Sequence, residues 1–384
     1  MVPARRSART TAVKAAANGL VRDLAPVPLH EQLQLPSDRL REMFETMLLA
    51  RAVDERQWIL NRQGREPFHI SCQGHEGSGV GSAFALDRDR DVMVPYYRSL
   101  AAVLAFGVTP HELFLSALAR ADDPMTGGRQ MPAHYGLARA RILTTGSPVA
   151  TQIPHAAGAA LASKIRGDGG VSIVYFGDGA SSKGDFHEGL NFAAIHKLPA
   201  IFVCENNHYA ISVPTSKQMA VRSVADRAVG YGMFGESIDG TDPLAVYRSV
   251  KLAADRARAG EGPTLIESNV VRLTPHSSDD DDRRYRPEAE REEARHHDPI
   301  DVFGDYLRLR ARPHQPAERA RAGELNFELV DLGEQLPMSQ SLPDRNHDLR
   351  RPEWLRQVVV GPQPNRFDGR ADVAVTGQDD HRGF

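Results

Sequence analysis

The centre of the chain alternates apolar runs with helical periodicity, and this alternation constrains the fold more than any other feature. The runs 171–176 and 200–204 are short, apolar and rich in β-branched or aromatic residues, as buried strands are. Between them, apolar residues over 186–194 mark one face of a helix. This order is a βαβ unit, which joins two parallel strands by a right-handed crossover. With a further helix over 242–259 and a strand over 263–268, the pattern predicts an α/β fold: a doubly wound, mostly parallel sheet with helices on both faces.

Composition divides the chain into three regions. The first 22 residues carry five basic residues and no acidic one, which fits a mitochondrial transit peptide or a flexible basic arm; we expect an arm over 1–36. One folded domain is expected over 37–310, because apolar residues recur at helical spacing from Leu40 onward. In 311–384 Arg, Pro, Gln and Asp dominate and no periodicity persists, so we expect an irregular tail. A divergent tail and an altered reading frame both explain it.

Charge and cysteine content argue against several classes of protein. The chain has 47 Lys and Arg against 50 Asp and Glu, so its charge gives no reason to expect nucleic acid or an anionic membrane as a partner. Its two cysteines, Cys72 and Cys204, form neither a disulfide framework nor a zinc site, which favours a reducing compartment. The sequence contains neither a secretory signal nor an apolar run of about 20 residues. We therefore expect the protein in the bacterial cytoplasm, or in the mitochondrial matrix if it comes from a eukaryote.

Two polar motifs follow the two central strands. Gly177-Asp178-Gly179 comes directly after the first strand, and Asn206-Asn207 comes after the second. Because the strands are parallel, both motifs lie at the edge where open α/β sheets bind ligands. Glycine lets backbone N–H groups approach a diphosphate, and the oxygens of Asp178 and Asn207 suit Mg²⁺ or Ca²⁺. Asp-Gly is also a common turn pair, so a simple turn is the alternative.

Placed after two adjacent strands, these motifs resemble the thiamine diphosphate motif. The segments 176–185 and 206–212 resemble the alpha subunits of thiamine-diphosphate-dependent 2-oxo acid dehydrogenases, and the resemblance extends from about residue 40 to 307. It implies that 37–310 is the diphosphate-binding domain, with the cofactor against Gly177, Asp178, Gly179, Ala180 and Asn207. The implied metal ligands are the side chains of Asp178 and Asn207 and the backbone carbonyl of Tyr209. His208 departs from the family, where glycine is frequent.

Two further segments carry the same resemblance. Tyr96-Tyr97-Arg98 resembles the Tyr-Arg pair that binds the terminal phosphate, which implies that role for Tyr97 and Arg98. A solvated arginine beside core tyrosines is the alternative. The segment 147–154 resembles the one that holds the aminopyrimidine ring through backbone groups, here those of Ser147 and Val149. In branched-chain members a similar stretch binds potassium, which would assign that ion to Gly146, Pro148, Thr151 and Gln152; an ordinary loop fits equally well.

The segment 272–286 resembles the family's phosphorylation loop with its active-site histidine. The resemblance implies that His276 contacts the diphosphate and is catalytic, as a donor whose pKa lies near neutrality. Ser277 and Ser278 stand where eukaryotic relatives are phosphorylated, and we expect them to be unmodified here. The segment 128–135 resembles the branched-chain subgroup rather than pyruvate-using relatives. Three residues, Tyr96, His134 and Tyr135, could then lie on the substrate side; loop packing is the alternative for the last two.

The resemblance also implies partners. Thiamine diphosphate supplies the carbanion chemistry, but the family activates it with a glutamate from a pyrimidine-binding domain that does not occur in this chain. Glu76 is a tempting substitute, which we reject because the matching family segment does not supply this carboxylate. We therefore expect a beta subunit in an α₂β₂ assembly that oxidatively decarboxylates branched-chain 2-oxo acids and passes the acyl group to a lipoylated acyltransferase core. Pyruvate or acetoin as substrate is one alternative, and a non-catalytic, Mg²⁺-dependent phosphate-binding module is another.

Overall fold

A computed structural model describes residues 27–310 of the chain. The expectations for most of the basic arm and for the tail from residue 311 lie outside the described residues. Within 27–310, no helix is long and apolar enough to span a bilayer.

Seven strands and twelve α-helices make up the described part of the chain. The strands are β1 Val92–Val94, β2 Ser172–Gly177, β3 Ala200–Asn206, β4 Tyr209–Ala210, β5 Val213–Pro214, β6 Phe234–Asp239 and β7 Thr264–Asn269. The helices are α1 Leu29–Gln32, α2 Ser37–Arg62, α3 Glu76–Phe84, α4 Leu100–Ala105, α5 Pro110–Ala117, α6 Gln152–Arg166, α7 Gly184–Ile195, α8 Thr215–Gln218, α9 Ala228–Tyr231, α10 Pro243–Arg258, α11 Glu288–His296 and α12 Pro299–Arg310. Short 3₁₀ turns cover Ala138–Ala140, Asp178–Ser182, Val224–Arg227 and Asp282–Arg284.

Five of the strands form one parallel sheet in the order β1-β2-β3-β7-β6. The central pair β2 and β3 is in register from Ser172 opposite Ala200 to Gly177 opposite Glu205. The predicted parallel α/β sheet is therefore confirmed, and the two strands that precede the polar motifs are neighbours. Their carboxyl ends lie at the same edge.

Alternate side chains of the sheet pack against different helices. Phe176 belongs to a fully buried cluster with Ile153 of α6 and Phe186 of α7. Tyr175, the preceding residue of β2, reaches the opposite face, where its hydroxyl and that of Ser82 in α3 form a 2.9 Å hydrogen bond. Helix α10 packs against α3 and against β3, β6 and β7. Helices therefore cover both faces of the sheet, as predicted.

Helix starts follow local capping chemistry. Thr109 and Glu112 form a capping box ahead of α5, with Pro110 at the first helical position. Asp242 caps α10 through a 2.9 Å hydrogen bond from the backbone N–H of Leu244. These side chains satisfy N–H groups that have no partner within the helix, which fixes where each helix begins.

Helix α3 was not predicted, since its sequence has three glycines in nine residues. The packing explains the helix, because there is no room for side chains at these glycines. A Cβ at Gly81 would lie 2.4 Å from the carbonyl oxygen of Pro243, and one at Gly79 would lie 2.9 Å from the backbone nitrogen of Ala102. Another difference lies in the expected arm over 1–36, whose described residues include one helical turn, α1.

Candidate active site

A cavity of about 400 Å³ opens at the carboxyl ends of β2 and β3. Its lining brings together every residue predicted to bind the cofactor, the divalent metal or potassium, together with Tyr96. Lys183, Asp185, Ala210 and Ile211 complete the lining and were not predicted from the sequence. The volume falls within the usual range for small-molecule sites.

Asp178 presents a buried carboxylate to this cavity. The residue is 1% exposed, and its Oδ2 has no hydrogen-bond partner among the described residues. Burial raises the pKa of Asp178 to about 6, against the opposing effect of backbone N–H groups and of Arg272. Its own carbonyl oxygen accepts hydrogen bonds from Ser181 and from Gln218, which fixes the turn. A buried carboxylate oxygen with no donor is a position that a cation can satisfy.

The two adjacent asparagines have different environments. Asn206 is held in the fold, since its Nδ2 donates to Glu267 at 2.8 Å and its Oδ1 accepts from the backbone of His208 at 2.9 Å. Asn207 lines the cavity, and its Oδ1 accepts a 3.3 Å hydrogen bond from the backbone N–H of Tyr209. Asp178, Asn207 and Tyr209 thus share one cavity wall.

Left-handed backbone brackets Tyr209. His208, just before β4, has φ +69°, and Ile211, in the turn between β4 and β5, has φ +57°. Glycine adopts this conformation without steric cost, whereas other residues do so rarely. A glycine would therefore suit position 208, and His208 adopts this left-handed conformation with a side chain.

The two glycines of the motif are required for different reasons. A Cβ on Gly177 would have no protein atom within 4 Å, so it would project into open space beside the cavity. A Cβ on Gly179 would lie 2.9 Å from the Cβ of Ala210 in the hairpin. Glycine at 177 leaves room for a ligand, and glycine at 179 lets the hairpin approach the turn.

Arg98 holds His276 at the cavity wall. The guanidinium is 2% exposed; Nη1 donates to the carbonyl of Ser71 at 2.6 Å, and Nη2 lies 3.2 Å from both Nδ1 and the carbonyl oxygen of His276. The Tyr97 ring meets the imidazole edge-on, with the ring centroids 6.0 Å apart. Because arginine can only donate, Nδ1 of His276 accepts and the ring proton is on Nε2.

The charge state of His276 differs from the sequence-based expectation. Burial, together with the positive charges of Arg98 and Arg272, lowers the pKa of His276 to about 3, although Asp280 acts in the opposite direction. The imidazole is therefore neutral at physiological pH rather than poised near its pKa. Burial contributes most to this lowering of the pKa, and the two guanidinium groups add to it because they place positive charge beside the ring.

The loop around His276 is tied to the hairpin by residues that the sequence reasoning did not single out. Asp280 accepts from the backbone N–H of His276 at 2.8 Å and from the hydroxyl of Tyr285. That hydroxyl also accepts from Arg272, whose guanidinium donates twice to the carbonyl of Ile211 at 3.1 Å. All three side chains lie within the 272–286 segment, but only the fold shows that they connect it to the hairpin.

Ser277 and Ser278 lie in this loop and are not among the residues that line the cavity. Ser277 is 7% exposed. The hydroxyl of Ser278 accepts from the backbone N–H of His69 at 3.2 Å, and its own N–H donates to the carbonyl of His69 at 2.8 Å. The loop is therefore pinned to the segment that precedes α3.

The loop before α6 contributes the remaining wall. Thr151 donates through its hydroxyl to the carbonyl of Pro148 at 2.9 Å, and the Gln152 amide donates to the carbonyl of Tyr175 at 3.0 Å. Ala150, directly before Thr151, has φ +81°, a rare conformation for a residue other than glycine. Ser147 and Val149 both line the cavity.

Two predicted substrate-side residues do not line the cavity. His134 lies behind Ser147, and its Nε2 is 2.6 Å from the Ser147 hydroxyl oxygen. Tyr135 is 5% exposed and packs in the protein interior. Their substrate-side role stays a prediction, and for Tyr135 the structure offers a packing role.

The donor set fits a hard cation rather than a zinc-type site. Within the described range 27–310, no group of three or more His, Cys, Asp or Glu side chains could hold a metal ion. The candidate ligands are instead one carboxylate, one amide oxygen and one backbone carbonyl. Mg²⁺ and Ca²⁺ favour such oxygen donors, and Mg²⁺ usually completes its shell with substrate phosphate and water.

Comparison with known proteins agrees with this geometry. The family model of the dehydrogenase E1 component matches residues 44–320. The chain is 56% identical over 279 residues to the 2-oxoisovalerate dehydrogenase subunit alpha of Bacillus subtilis, covering 73% of this chain and 84% of the relative. It is 41% identical over 275 residues to the pyruvate dehydrogenase E1 component subunit alpha of Bacillus cereus, covering 71% of each. The bovine mitochondrial 2-oxoisovalerate dehydrogenase subunit alpha is 43% identical over 256 residues, 67% of this chain and 56% of that protein. The chain belongs to the dehydrogenase E1 component family.

Proposed function

We propose that this chain is the alpha subunit of a branched-chain 2-oxo acid dehydrogenase, with 3-methyl-2-oxobutanoate as a substrate and thiamine diphosphate as the cofactor. The buried carboxylate of Asp178 carries the proposal, because its Oδ2 has no hydrogen-bond partner among the described residues and the residue lines the same cavity as Asn207 and Arg98. This is the arrangement that a diphosphate bound through a divalent cation requires.

Each part of the cofactor has residues that fit it. Asp178, Asn207 and the Tyr209 carbonyl would hold Mg²⁺, while Gly177 leaves space for the diphosphate. Bound thiamine diphosphate supplies an electron sink for decarboxylation. The Arg98 fork would bind the terminal phosphate and, by donating to Nδ1, keep the Nε2–H of His276 directed as a hydrogen-bond donor.

The segment 146–152 would hold the aminopyrimidine end of the cofactor through the backbone of Ser147 and Val149. We also assign a potassium ion to this segment, with ligands from Gly146, Pro148, Thr151 and Gln152. In support, the hydroxyl oxygen of Thr151 and the carbonyl oxygen of Pro148 already lie 2.9 Å apart. Titration with KCl against NaCl, followed by the thermal midpoint of the chain, tests this site.

The substrate assignment rests on similarity and on one segment. The chain is more similar to a 2-oxoisovalerate dehydrogenase alpha subunit, at 56% identity, than to pyruvate dehydrogenase alpha subunits, at 40–41%. The segment 128–135 is also of the branched-chain type. Turnover of 3-methyl-2-oxobutanoate, pyruvate and acetoin by the assembled enzyme decides between these substrates, and a preference for pyruvate would overturn the assignment.

A beta subunit would supply the carboxylate that activates the cofactor. Glu76 cannot serve, because it is fully buried and both of its oxygens are occupied: Oε1 accepts from Arg51 and Oε2 from the backbone of Gly74, each at 2.7 Å. It is also not among the residues that line the cavity. We therefore assign the activating glutamate to the beta subunit of an α₂β₂ assembly, with a lipoylated acyltransferase core as the acyl acceptor.

Calorimetry with thiamine diphosphate and Mg²⁺ tests the proposal. We expect tight binding when the beta subunit is present, weak binding by this chain alone, and loss of binding in Asp178→Asn. Asp89→Asn removes one exposed carboxylate away from the cavity and should bind as the unmodified chain does. Full-affinity binding by the isolated chain would instead favour a non-catalytic phosphate-binding module.

A further inference from the structure

Asn207 can serve as a metal ligand only in one orientation of its amide. The oxygen of the amide can bind a cation, whereas the NH₂ group of almost the same size cannot. A half-turn of the amide would exchange the two groups and place hydrogen atoms against the ion. A neighbour that distinguishes oxygen from nitrogen is therefore part of the site, even if it never touches the ion.

His75 is such a neighbour. Its Nε2 lies 3.3 Å from the Nδ2 of Asn207, although the two residues are 132 positions apart in the chain. An amide nitrogen only donates, so the imidazole accepts at Nε2. At the other end of the amide, Oδ1 accepts from the backbone N–H of Tyr209 at 3.3 Å. The Tyr209 N–H selects the orientation with the nitrogen towards His75, and the imidazole of His75 accepts from that nitrogen.

The turn that carries His75 leaves the imidazole little freedom. His75 is 1% exposed, and its backbone N–H donates to the carbonyl of Cys72 at 2.9 Å. Before it, Gly74 has φ +93°, and a Cβ there would lie 2.2 Å from the carbonyl oxygen of Val271. After it, the carboxylate of Glu76 binds both Arg51 and the N–H of Gly74. Packing and hydrogen bonds on both sides thus fix the backbone that carries the imidazole, and burial limits the movement of the ring.

We propose that His75 is a positioning residue that holds the Asn207 amide by accepting its N–H, and so keeps Oδ1 available to the divalent cation. The inference rests on the proposed cation site. It assigns to His75 no contact with the cation or the cofactor. The His75 ring acts only through Asn207, so its effect should vanish when residue 207 has two equivalent oxygens.

A double-mutant cycle on the assembled enzyme, with Mn²⁺ as the metal and thiamine diphosphate present, tests the inference. Binding of Mn²⁺ is measured by electron paramagnetic resonance. His75→Leu removes the acceptor and should weaken Mn²⁺ binding about 10- to 100-fold, as losses of residues behind metal ligands do. His75→Gln offers an amide oxygen as acceptor and should stay within about threefold of the unmodified enzyme. In an Asn207→Asp background, where either carboxylate oxygen can face the ion, His75→Leu should change the affinity less than about threefold.

The outcomes separate this inference from the proposed function. If the unmodified enzyme does not bind Mn²⁺, the proposed cation site fails. If it binds Mn²⁺ and His75→Leu has no effect, or has the same effect with and without Asn207→Asp, the positioning role is wrong and His75 is structural. Should His75→Leu not fold, His75→Met in the same cycle gives the comparison, because a thioether is a weak acceptor of similar length.

Discussion

The imidazole of His134 and the hydroxyl of Ser147 lie in direct contact, with His134 Nε2 2.6 Å from Ser147 Oγ. The other ring nitrogen, Nδ1, is 3.0 Å and 3.1 Å from the carbonyl oxygens of Met131 and Pro132, which can only accept. Nδ1 therefore donates, and in the neutral ring Nε2 accepts from the serine. The Ser147 hydroxyl thus anchors His134 behind the cavity wall.

Removing this hydroxyl should affect the substrate more than the cofactor. Ser147→Ala keeps the backbone groups proposed for the aminopyrimidine ring but removes the hydrogen-bond partner of His134 Nε2. We expect the KM for 3-methyl-2-oxobutanoate to rise about 3- to 10-fold, as the loss of one hydrogen bond allows. The dissociation constant of thiamine diphosphate should change less than about twofold, because the backbone groups proposed to hold the cofactor are kept. Ser147→Thr retains a hydroxyl and should restore the KM. If Ser147→Ala raised the dissociation constant of thiamine diphosphate as much as the KM, the hydroxyl would not act mainly on the substrate.

A second prediction concerns the space beside Gly177. Gly177→Ala places a methyl group where no protein atom lies within 4 Å, so the folded chain should tolerate it. A diphosphate in the cavity would meet that methyl group, and we expect at least a tenfold loss of thiamine diphosphate affinity, about 1.4 kcal/mol. Calorimetry and urea unfolding measure the two effects separately.

The matched control is Gly158→Ala in α6. A Cβ at Gly158 also meets no atom within 4 Å, but this residue is exposed and outside the cavity. Here alanine should raise the free energy of unfolding by roughly 0.5–1 kcal/mol, because it lowers the entropy lost on folding, and it should leave cofactor affinity unchanged. If both variants bind the cofactor normally, Gly177 is not part of the phosphate site.

The sequence was sufficient for those parts of the site that follow directly from strand ends. Asp178 and Asn207 come after consecutive apolar strands, and parallel neighbours necessarily bring such residues to one edge. The sequence was insufficient for those parts of the site that depend on contacts between residues far apart in the chain. His75 meets Asn207 across 132 residues, and no local pattern in Gly-His-Glu indicates that contact.

Helix α3 and strand β6 are among the elements that the sequence did not predict, and the physical reasons differ. Helix α3 has too many glycines for its intrinsic propensity to indicate a helix, and only the close approach of α4 and α10 explains them. Strand β6 is an edge strand with alternating exposed positions, so it lacks the apolar run that identified β2 and β3. Tertiary context, which a single sequence does not display, determined both.

A third prediction follows from the geometry of Arg98. Its guanidinium reaches the carbonyl of Ser71 with one nitrogen and His276 with another, which a lysine ammonium cannot reproduce. Arg98→Lys should weaken thiamine diphosphate binding about 10- to 100-fold while keeping the charge. Arg139→Lys, at an exposed ion pair with Glu112, should have no effect on binding. Equal binding by the two variants would show that charge alone, and not the fork, is needed at position 98.

The last prediction concerns a buried charge cluster behind the His276 loop. His69 is 3% exposed and lies 3.4 Å from a carboxylate oxygen of Asp54 on one side and of Glu66 on the other. Burial alone would lower the pKa of His69, but the hydrogen bonds and charges of Asp54 and Glu66 outweigh it and raise the pKa to about 9. In the unfolded chain the pKa is near 6.5. Between pH 6.5 and about 9, the folded chain therefore keeps a proton on His69 that the unfolded chain has released.

This stabilisation is fully present below about pH 6.5 and is lost as the pH rises through about 9. Between those limits the free energy of unfolding should fall by up to about 1.4 kcal/mol per pH unit from this one group. His69→Gln cannot titrate, so the difference in urea-unfolding free energy between the unmodified chain and this variant should shrink steadily from pH 6.5 to 9. His111→Gln, at an exposed histidine on α5, should keep the pH dependence of the unmodified chain. A difference in unfolding free energy that stays constant with pH would mean that His69 is neutral in the folded chain.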